Sequence, residues 1–437
     1  MSENKQMLTM LPFIFAAAMQ ILKPVLTAIL CFIGLFTEAQ NNSILSGTIA
    51  DKQTGEALPF ATVSLKKSAT GSLSNEKGQF DLLLPAGSEK DSLIISFLGY
   101  ATQRMALAAV SNPVNIKLEK SGVPLAEAVI RSLTPEQYLL LAIRSIKDNY
   151  ANQPFQTLGY YSERAQENKN YLKDEEAIFK TYYPNYVDTA RNQHQLLLHR
   201  RGETKPLQIY RDKLEKAIKE ENKEAAKNGE QTEEMTADDL ISNFGGPEAI
   251  LNADFISSRE LFLDSTKFKR FKFSFGAPSA FLGKDLITIN FESRRVVEYQ
   301  WQTGKLFMDP YTFAIVSVDF TAFIDLPALA EPALFALGVG LEDISYQKKY
   351  NYYELNGRWY PQNFRLQGSA RLIRKHIFKA NEVSDFKLEQ LFMISEIISD
   401  NPQPIEKTKR YTEDKKFEEQ LHNDTNLKWE DVNSIKR

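Results

Sequence analysis

The chain has 437 residues, enough for two or three domains that each bury a core of their own. Charged residues make up 25% and hydrophobic residues 43%, a globular balance that excludes a disordered or fibrous chain. With a formal net charge of −3 and no basic stripe, it carries no electrostatic footprint for nucleic acid.

Residues 1–40 read as a signal sequence. Two apolar runs, Leu8 to Met19 and Val25 to Phe36, are separated by Lys23 and Pro24. With translation starting at Met19, Lys23 supplies the positive end and Pro24 to Phe36 the apolar core. Thr37-Glu38-Ala39 is then a small-x-small cleavage site between Ala39 and Gln40. The competing reading is an uncleaved anchor, since about 20 apolar residues can span a bilayer. The one cysteine, Cys31, lies inside this segment behind Ile29 and Leu30, which is wrong for lipidation. Processing leaves a mature chain without disulfides, thiol nucleophiles or thiolate metal sites.

From residue 43 to 120 the pattern has period two, which places alternate side chains on opposite faces of a strand. Ala61, Val63 and Leu65 alternate with Thr62 and Ser64, and Leu93, Ile95 and Phe97 with Ser92 and Ser96. Val114, Ile116 and Leu118 alternate with Asn115 and Lys117. Asp51-Lys52-Gln53-Thr54-Gly55 and Asn75-Glu76-Lys77-Gly78 place Gly where a tight turn needs positive φ. About six or seven short strands in so short a stretch predict a β-sandwich.

The runs Leu45 to Asp51, Thr54 to Val63, Ser74 to Phe80 and Ser96-Phe97-Leu98-Gly99-Tyr100 together resemble the carboxypeptidase D regulatory-like domain. That resemblance implies a prealbumin-like, seven-stranded sandwich of the kind found at the N-termini of many Gram-negative envelope proteins, TonB-dependent transporters among them. It implies no activity, because the family is an accessory domain beside a peptidase.

Residues 121–205 hold a link, Leu125 to Ile130, then a helix and the start of a second domain. Thr134-Pro135-Glu136-Gln137 is a capping box with Pro at the first helical position. Leu139, Ala142, Ile143, Ile146 and Tyr150 share one helical face, suited to packing on a sheet. The stretches Asn149 to Phe155 and Gly159 to Arg164 are similar to the region after the sandwich in carboxypeptidase-like regulatory domain-containing proteins. No plug domain or membrane-spanning barrel is legible.

Residues 206–245 form a charged helical linker or insertion, with Asp212 to Lys216 and Glu215 to Lys219 at i, i+4 spacing. Period two returns in an antiparallel β domain over 246–400. Phe271, Phe273 and Phe275 form one alternating face, and Ile287, Ile289 and Phe291 another; Asp309-Pro310 and Asn356-Gly357 mark turns. Residues 401–437 are a polar, charged tail. The expected fold is mainly β with some α: a prealbumin-like sandwich followed by a larger α+β domain with a broad antiparallel sheet. At the level of fold analogy, that sheet is similar to the curved sheets of periplasmic lipoprotein carriers.

Catalytic signatures are missing. The residues three beyond His194, His199, His376 and His422 are Leu197, Gly202, Lys379 and Thr425, so the zinc-carboxypeptidase spacing is absent. His194 and His199, five apart, fit neither helical nor same-face strand spacing and read as polar surface residues. Six residues separate Gly276 from Gly283-Lys284 where a P-loop has four, and Asp285 replaces the magnesium-binding hydroxyl. Glu175-Glu176 and Asp238-Asp239 are adjacent acids, which sets no separation across a substrate.

The segment Ala322 to Leu341 is the candidate site. Phe323, Leu326, Leu329, Leu334 and Phe335 make it too apolar to stay in water. It is expected to cover one sheet face as core, or to form a lid over an apolar ligand pocket. The functional expectation is an exported, non-enzymatic protein of the Gram-negative periplasm or outer membrane, free of cofactor and metal, that binds an apolar ligand or an envelope partner. The alternative is an envelope hydrolase whose site no motif reveals.

Overall fold

The computed structural model describes residues 43–67, 70–121, 133–187, 191–227, 245–294, 299–326, 338–376, 378–422 and 427–435. The expected cleavage site at Ala39 and Gln40 and the link Leu125 to Ile130 lie outside these residues.

Seven short strands build the sandwich: β1 (Ser43–Asp51), β2 (Thr62–Leu65), β3 (Gly71–Leu73), β4 (Gln79–Leu84), β5 (Ser92–Ser96), β6 (Gln103–Ala106) and β7 (Val114–Leu118). One sheet has the order β4-β1-β7 and the other β3-β2-β5-β6. The alternating residues meet between them, with Ala61, Val63, Leu65, Phe80, Leu93, Ile95 and Leu118 fully buried. The first turn forms because the Asp51 carboxylate accepts the N–H groups of Gln53 at 2.7 Å and Thr54 at 3.0 Å, while Gly55 takes a φ of 74°.

The capping box is formed: Thr134 accepts from the Gln137 N–H and Gln137 accepts from the Thr134 N–H. The helix runs Pro135–Arg144 and, after a break at Ser145, one further turn spans Ile146–Asn149. Leu139, Ala142, Ile146 and Tyr150 of the predicted face are buried and Ile143 is half-buried, while Tyr138, outside that face, is buried as well.

The second domain is a single antiparallel sheet of eleven strands among the described residues. Its strands are β8 (Phe155–Glu167), β9 (Asn170–Tyr183), β10 (Gln193–Arg201), β11 (Phe271–Phe275), β12 (Ser279–Phe281), β13 (Lys284–Ser293), β14 (Gln300–Met308), β15 (Ile315–Ile324), β16 (Val339–Leu355), β17 (Arg358–Arg374) and β18 (Glu382–Ile398). The order is β10-β9-β8-β18-β17-β16-β15-β14-β13-β11, with β12 also on β13. Asn356 and Gly357 both take positive φ in the two-residue turn joining β16 to β17. Asp309 fixes the β14–β15 turn by accepting from Tyr311 and Thr312.

The sandwich packs on one face of this sheet. Phe60 lies under the guanidinium of Arg365, 3.8 Å from ring centroid to cation, and Leu73 joins Tyr160, Ile178, Leu391 and Met393 in a small apolar cluster. The opposite face carries the main core. There the helix Pro135–Arg144, the short helix Pro247–Leu251 and the loops to residue 264 cover Tyr161, Phe179, Tyr350, Phe364 and Phe392. Residues 401–422 pack back as well, burying Ile405 and Gln420.

Three strands, β16, β17 and β18, are 17 residues long. At about 3.3 Å per residue each exceeds 50 Å, so the main core covers only part of their length.

Candidate functional site

Beyond the aromatic core, the same sheet face carries a second apolar surface. Cross-strand pairs fix it: Leu388 opposes both Gly368 and Ala165, Phe386 opposes Ala370, and Leu372 opposes Leu341. These small and aliphatic side chains floor a cavity of about 570 Å³. Leu207, Ile209 and Tyr210 form one wall, and Leu214 of the helix Arg211–Lys227 reaches over it. Gly368 matters for the shape, because a Cβ there would meet nothing nearer than Leu388 Cβ at 3.6 Å.

A polar row separates cavity from core. Reading across the strands, Glu175 opposes Glu163, Glu163 opposes Gln390, Gln390 opposes Leu366, and Leu366 opposes Lys348. Glu163 is fully buried and takes an ion pair from Lys173 at 2.9 Å and hydrogen bonds from the Tyr161 hydroxyl at 2.6 Å and Gln390 at 3.3 Å. Lys348 pairs with Glu260 at 2.6 Å, and Tyr350 donates to the same carboxylate. Burying a carboxylate is costly unless it is paired and hydrogen-bonded in this way. The row lies between the core and the cavity on this face, and none of its residues is among those that line the cavity.

The wall is held by polar contacts at its edges. Glu167, fully buried on the cavity face, accepts from Ser384 and from the backbone of residues 208 and 209. Tyr210 donates to the carbonyls of Gly338 and Ile373, and Arg374 makes two parallel 2.7 Å hydrogen bonds to Asp212. Asp212 is thus bound to the sheet across the cavity mouth, where helical spacing alone predicted Lys216 as its partner. This charged helix also buries Ile218.

Of the expected cover residues, Phe323 sits on β15 with half its surface exposed and Leu326 is half-buried. Leu329, Leu334 and Phe335 lie outside the described residues. Leu341, the last residue of that segment, is a strand residue in the cavity floor. The wall Leu207 to Leu214 went unnoticed in the sequence, because its few apolar residues stand beside a charge run.

His194 and His199 are buried, not surface residues. An irregularity between Leu196 and Leu198 shifts the register of β10 by one residue, so both rings face the main core despite their odd spacing. His194 bridges Thr181 at 3.0 Å and Asn252 at 3.2 Å, and burial holds it neutral with its pKa pulled down to about 4. His199 stacks on Phe417 at 4.4 Å and meets Glu175 at 2.5 Å. The adjacent acids are split by the pleat: Glu175 binds His199 and Arg201 on one face, Glu176 binds Tyr160 and Arg200 on the other. They cannot act as a pair on one substrate.

Deeper in the core, Asp254 is enclosed by Tyr186 and Tyr352, whose hydroxyls donate to it together with the N–H groups of Ile256 and Ser257. Burial raises its pKa to about 6 against the pull of those hydrogen bonds. Among the described residues no group of His, Cys, Asp and Glu could hold a metal ion, and no helix is long and apolar enough to cross a membrane.

Comparison with known proteins places the first domain. A TonB-dependent receptor of Formosa agariphila is 29% identical over 109 residues, a match spanning 25% of this chain and 10% of the receptor. Among solved structures, a LolA superfamily protein from Nitrosomonas europaea aligns over 63% of this chain and 96% of its own, at 9% identity and a TM-score of 0.24. A DUF1329 family protein from Desulfovibrio piger aligns over 62% and 95%, at 10% identity and 0.22. Likenesses this slight carry no argument about the large sheet or its ligand. The family model of the CarboxypepD_reg-like domain matches residues 45–130, the sandwich whose seven strands and turn glycines are described above, and that domain is what the chain carries there.

Proposed function

We propose that this is a non-enzymatic envelope protein whose large sheet holds an apolar ligand, an acyl chain or similar hydrocarbon, in the cavity under the helix Arg211–Lys227. The observation that carries this reading is the lining itself: Leu172, Ile209, Leu214, Leu341, Leu372, Phe386 and Leu388 face a space of about 570 Å³ with no acid–base pair among them. That volume falls within the ordinary range for ligand pockets, about 300–1,000 Å³. Apolar surface facing such a space gains free energy when hydrocarbon displaces water, at about 25 cal/mol per Å². The exported, envelope location belongs to the same proposal and fits the signal-like N-terminus.

The test is uptake of a fluorescent fatty acid by the purified chain, compared with Gly368→Phe. A Cβ at Gly368 makes only ordinary contacts, with Leu388 Cβ at 3.6 Å and the Ser345 carbonyl oxygen at 3.9 Å, and Gly368 lines the cavity, so the added ring is expected to take up cavity space. Wild type should bind the probe and the variant, equally folded by circular dichroism, should lose it at least ten-fold. Equal binding by both, or none by wild type, defeats the reading. The hydrolase alternative finds no support in the cavity, whose lining holds no carboxylate, and the nearby Glu163 and Lys173 are paired with one another at 2.9 Å.

A further inference from the structure

We infer that Arg374 anchors the carboxylate of a long-chain amphiphile whose tail lies in the cavity, that carboxylate displacing the one of Asp212. The inference rests on the apolar-ligand reading and adds a headgroup to it.

The floor of the cavity ends in this arginine. β17 pairs with β18 without irregularity from Asn363 to Arg374, so alternation puts Gly368, Ala370, Leu372 and Arg374 on one face. The first three line the cavity. Arg374 follows Leu372 by two residues, about 7 Å along the strand. Its contacts confirm the direction, because the guanidinium lies 5.4 Å from the ring centroid of Tyr210, itself a lining residue. The row thus runs from small and aliphatic side chains to a guanidinium, the order in which a tail and an anionic head would be met.

A carboxylate already sits on the anchor. Asp212 accepts two parallel hydrogen bonds at 2.7 Å from the two terminal nitrogens of Arg374, the fork that arginine offers to any carboxylate. The second acid at hand, Glu382, is 3.7 Å away and is engaged by Lys379 at 2.7 Å and His376 at 3.1 Å. Exposure separates the two members of the main pair: the Arg374 side chain is 17% exposed and that of Asp212 66%. Asp212 is therefore the water-facing member, and holding it there contributes little. A ligand carboxylate in its place keeps both hydrogen bonds on the guanidinium, while Asp212 returns to water that it already meets. The wall does not depend on Asp212 alone, since the Tyr210 hydroxyl is bound to the carbonyls of Gly338 and Ile373.

The experiment is isothermal titration calorimetry of the purified full chain with dodecanoate, dodecanol and dodecyl phosphate. Wild type should bind the acid more tightly than the alcohol. Arg374→Gln should weaken dodecanoate by about ten-fold and leave dodecanol unchanged. Asp212→Asn removes the competing carboxylate and should tighten dodecanoate by about three-fold, again without effect on dodecanol. The sign of that last change is decisive. If the pair only braces the wall, both variants weaken acid and alcohol alike, and that result overturns the inference. Dodecyl phosphate bound more tightly than dodecanoate, with the same dependence on Arg374, overturns the carboxylate assignment. The two readings fail differently. Loss of dodecanol binding in Gly368→Phe, with acid and alcohol treated alike by the Arg374 and Asp212 variants, keeps the cavity and removes its anchor. Binding of neither acid nor alcohol by wild type removes the cavity reading itself and the anchor with it.

Discussion

The carboxylate of Glu167 accepts the backbone N–H of Ile209 at 2.8 Å, so the strand that floors the cavity also holds the segment that walls it. Gln208 N–H at 2.6 Å and the Ser384 hydroxyl at 2.7 Å complete its partners. Glu167→Ala leaves these donors buried and unpaired, at a cost of about 1–3 kcal/mol for each group water cannot reach. The expected outcome is a lower melting temperature and faster release of a bound fatty-acid probe by stopped flow. Glu167→Gln keeps one acceptor oxygen and should lose less of both. Unchanged release in the alanine variant would separate the wall from the ligand.

Two buried groups should oppose each other in acid. Asp254, with its pKa raised to about 6, contributes stability that is present below pH 4 and is lost as pH rises through 6. His194, with its pKa lowered to about 4, does the reverse, since its unfolded form gains a proton below pH 6.5 and the folded form resists it. Each effect is about 3 kcal/mol at its full extent. Urea melts between pH 4 and 7 should show Asp254→Asn removing the falling component and His194→Gln the rising one. Identical pH profiles in wild type and both variants would show that neither group titrates differently on folding.

Gly78 and Gly55 should respond differently to alanine. Both have φ near +74°, which costs an L-residue about 1–2 kcal/mol. At Gly55 a Cβ meets nothing within 4 Å, whereas at Gly78 it runs into the carbonyl oxygen of Ile49. Gly78→Ala should therefore destabilise the sandwich by more than Gly55→Ala, as read by denaturant midpoint. Equal effects would mean that the Ile49 strand yields freely.

Export processing should leave Gln40, or a residue within a few positions of it, at the N-terminus of the envelope form. That form should show no thiol on labelling, because Cys31 is removed with the signal segment. Recovery of an intact Met1 or Met19 terminus would establish the anchor instead.

Exchanging Leu334 and Phe335 together for Asp tests the expected apolar cover. Strong destabilisation marks them as core, because an unpaired buried charge is expensive. A folded protein that no longer takes up the probe marks a ligand lid. If folding and uptake both survive, neither role holds.

The sequence by itself determined the local structure. Alternation of Ala61, Val63 and Leu65 fixed which face of each sandwich strand is inside, and Asp51 to Gly55 and Asn356-Gly357 fixed the turns, because these depend on residues a few positions apart. The capping box at Thr134 and Gln137 was legible for the same reason. Only the tertiary structure decided where the cavity lies. Ala165, Gly368, Leu388 and Leu341 come from four strands and converge through register alone, and nothing local marks Gly368 as a floor. The partner of Asp212 was likewise undecidable from helical spacing, since Arg374 lies 162 residues away. A single register shift in β10 turned His194 and His199 onto one face, and such a shift leaves no trace in hydrophobic periodicity because its cause is the pairing with β9.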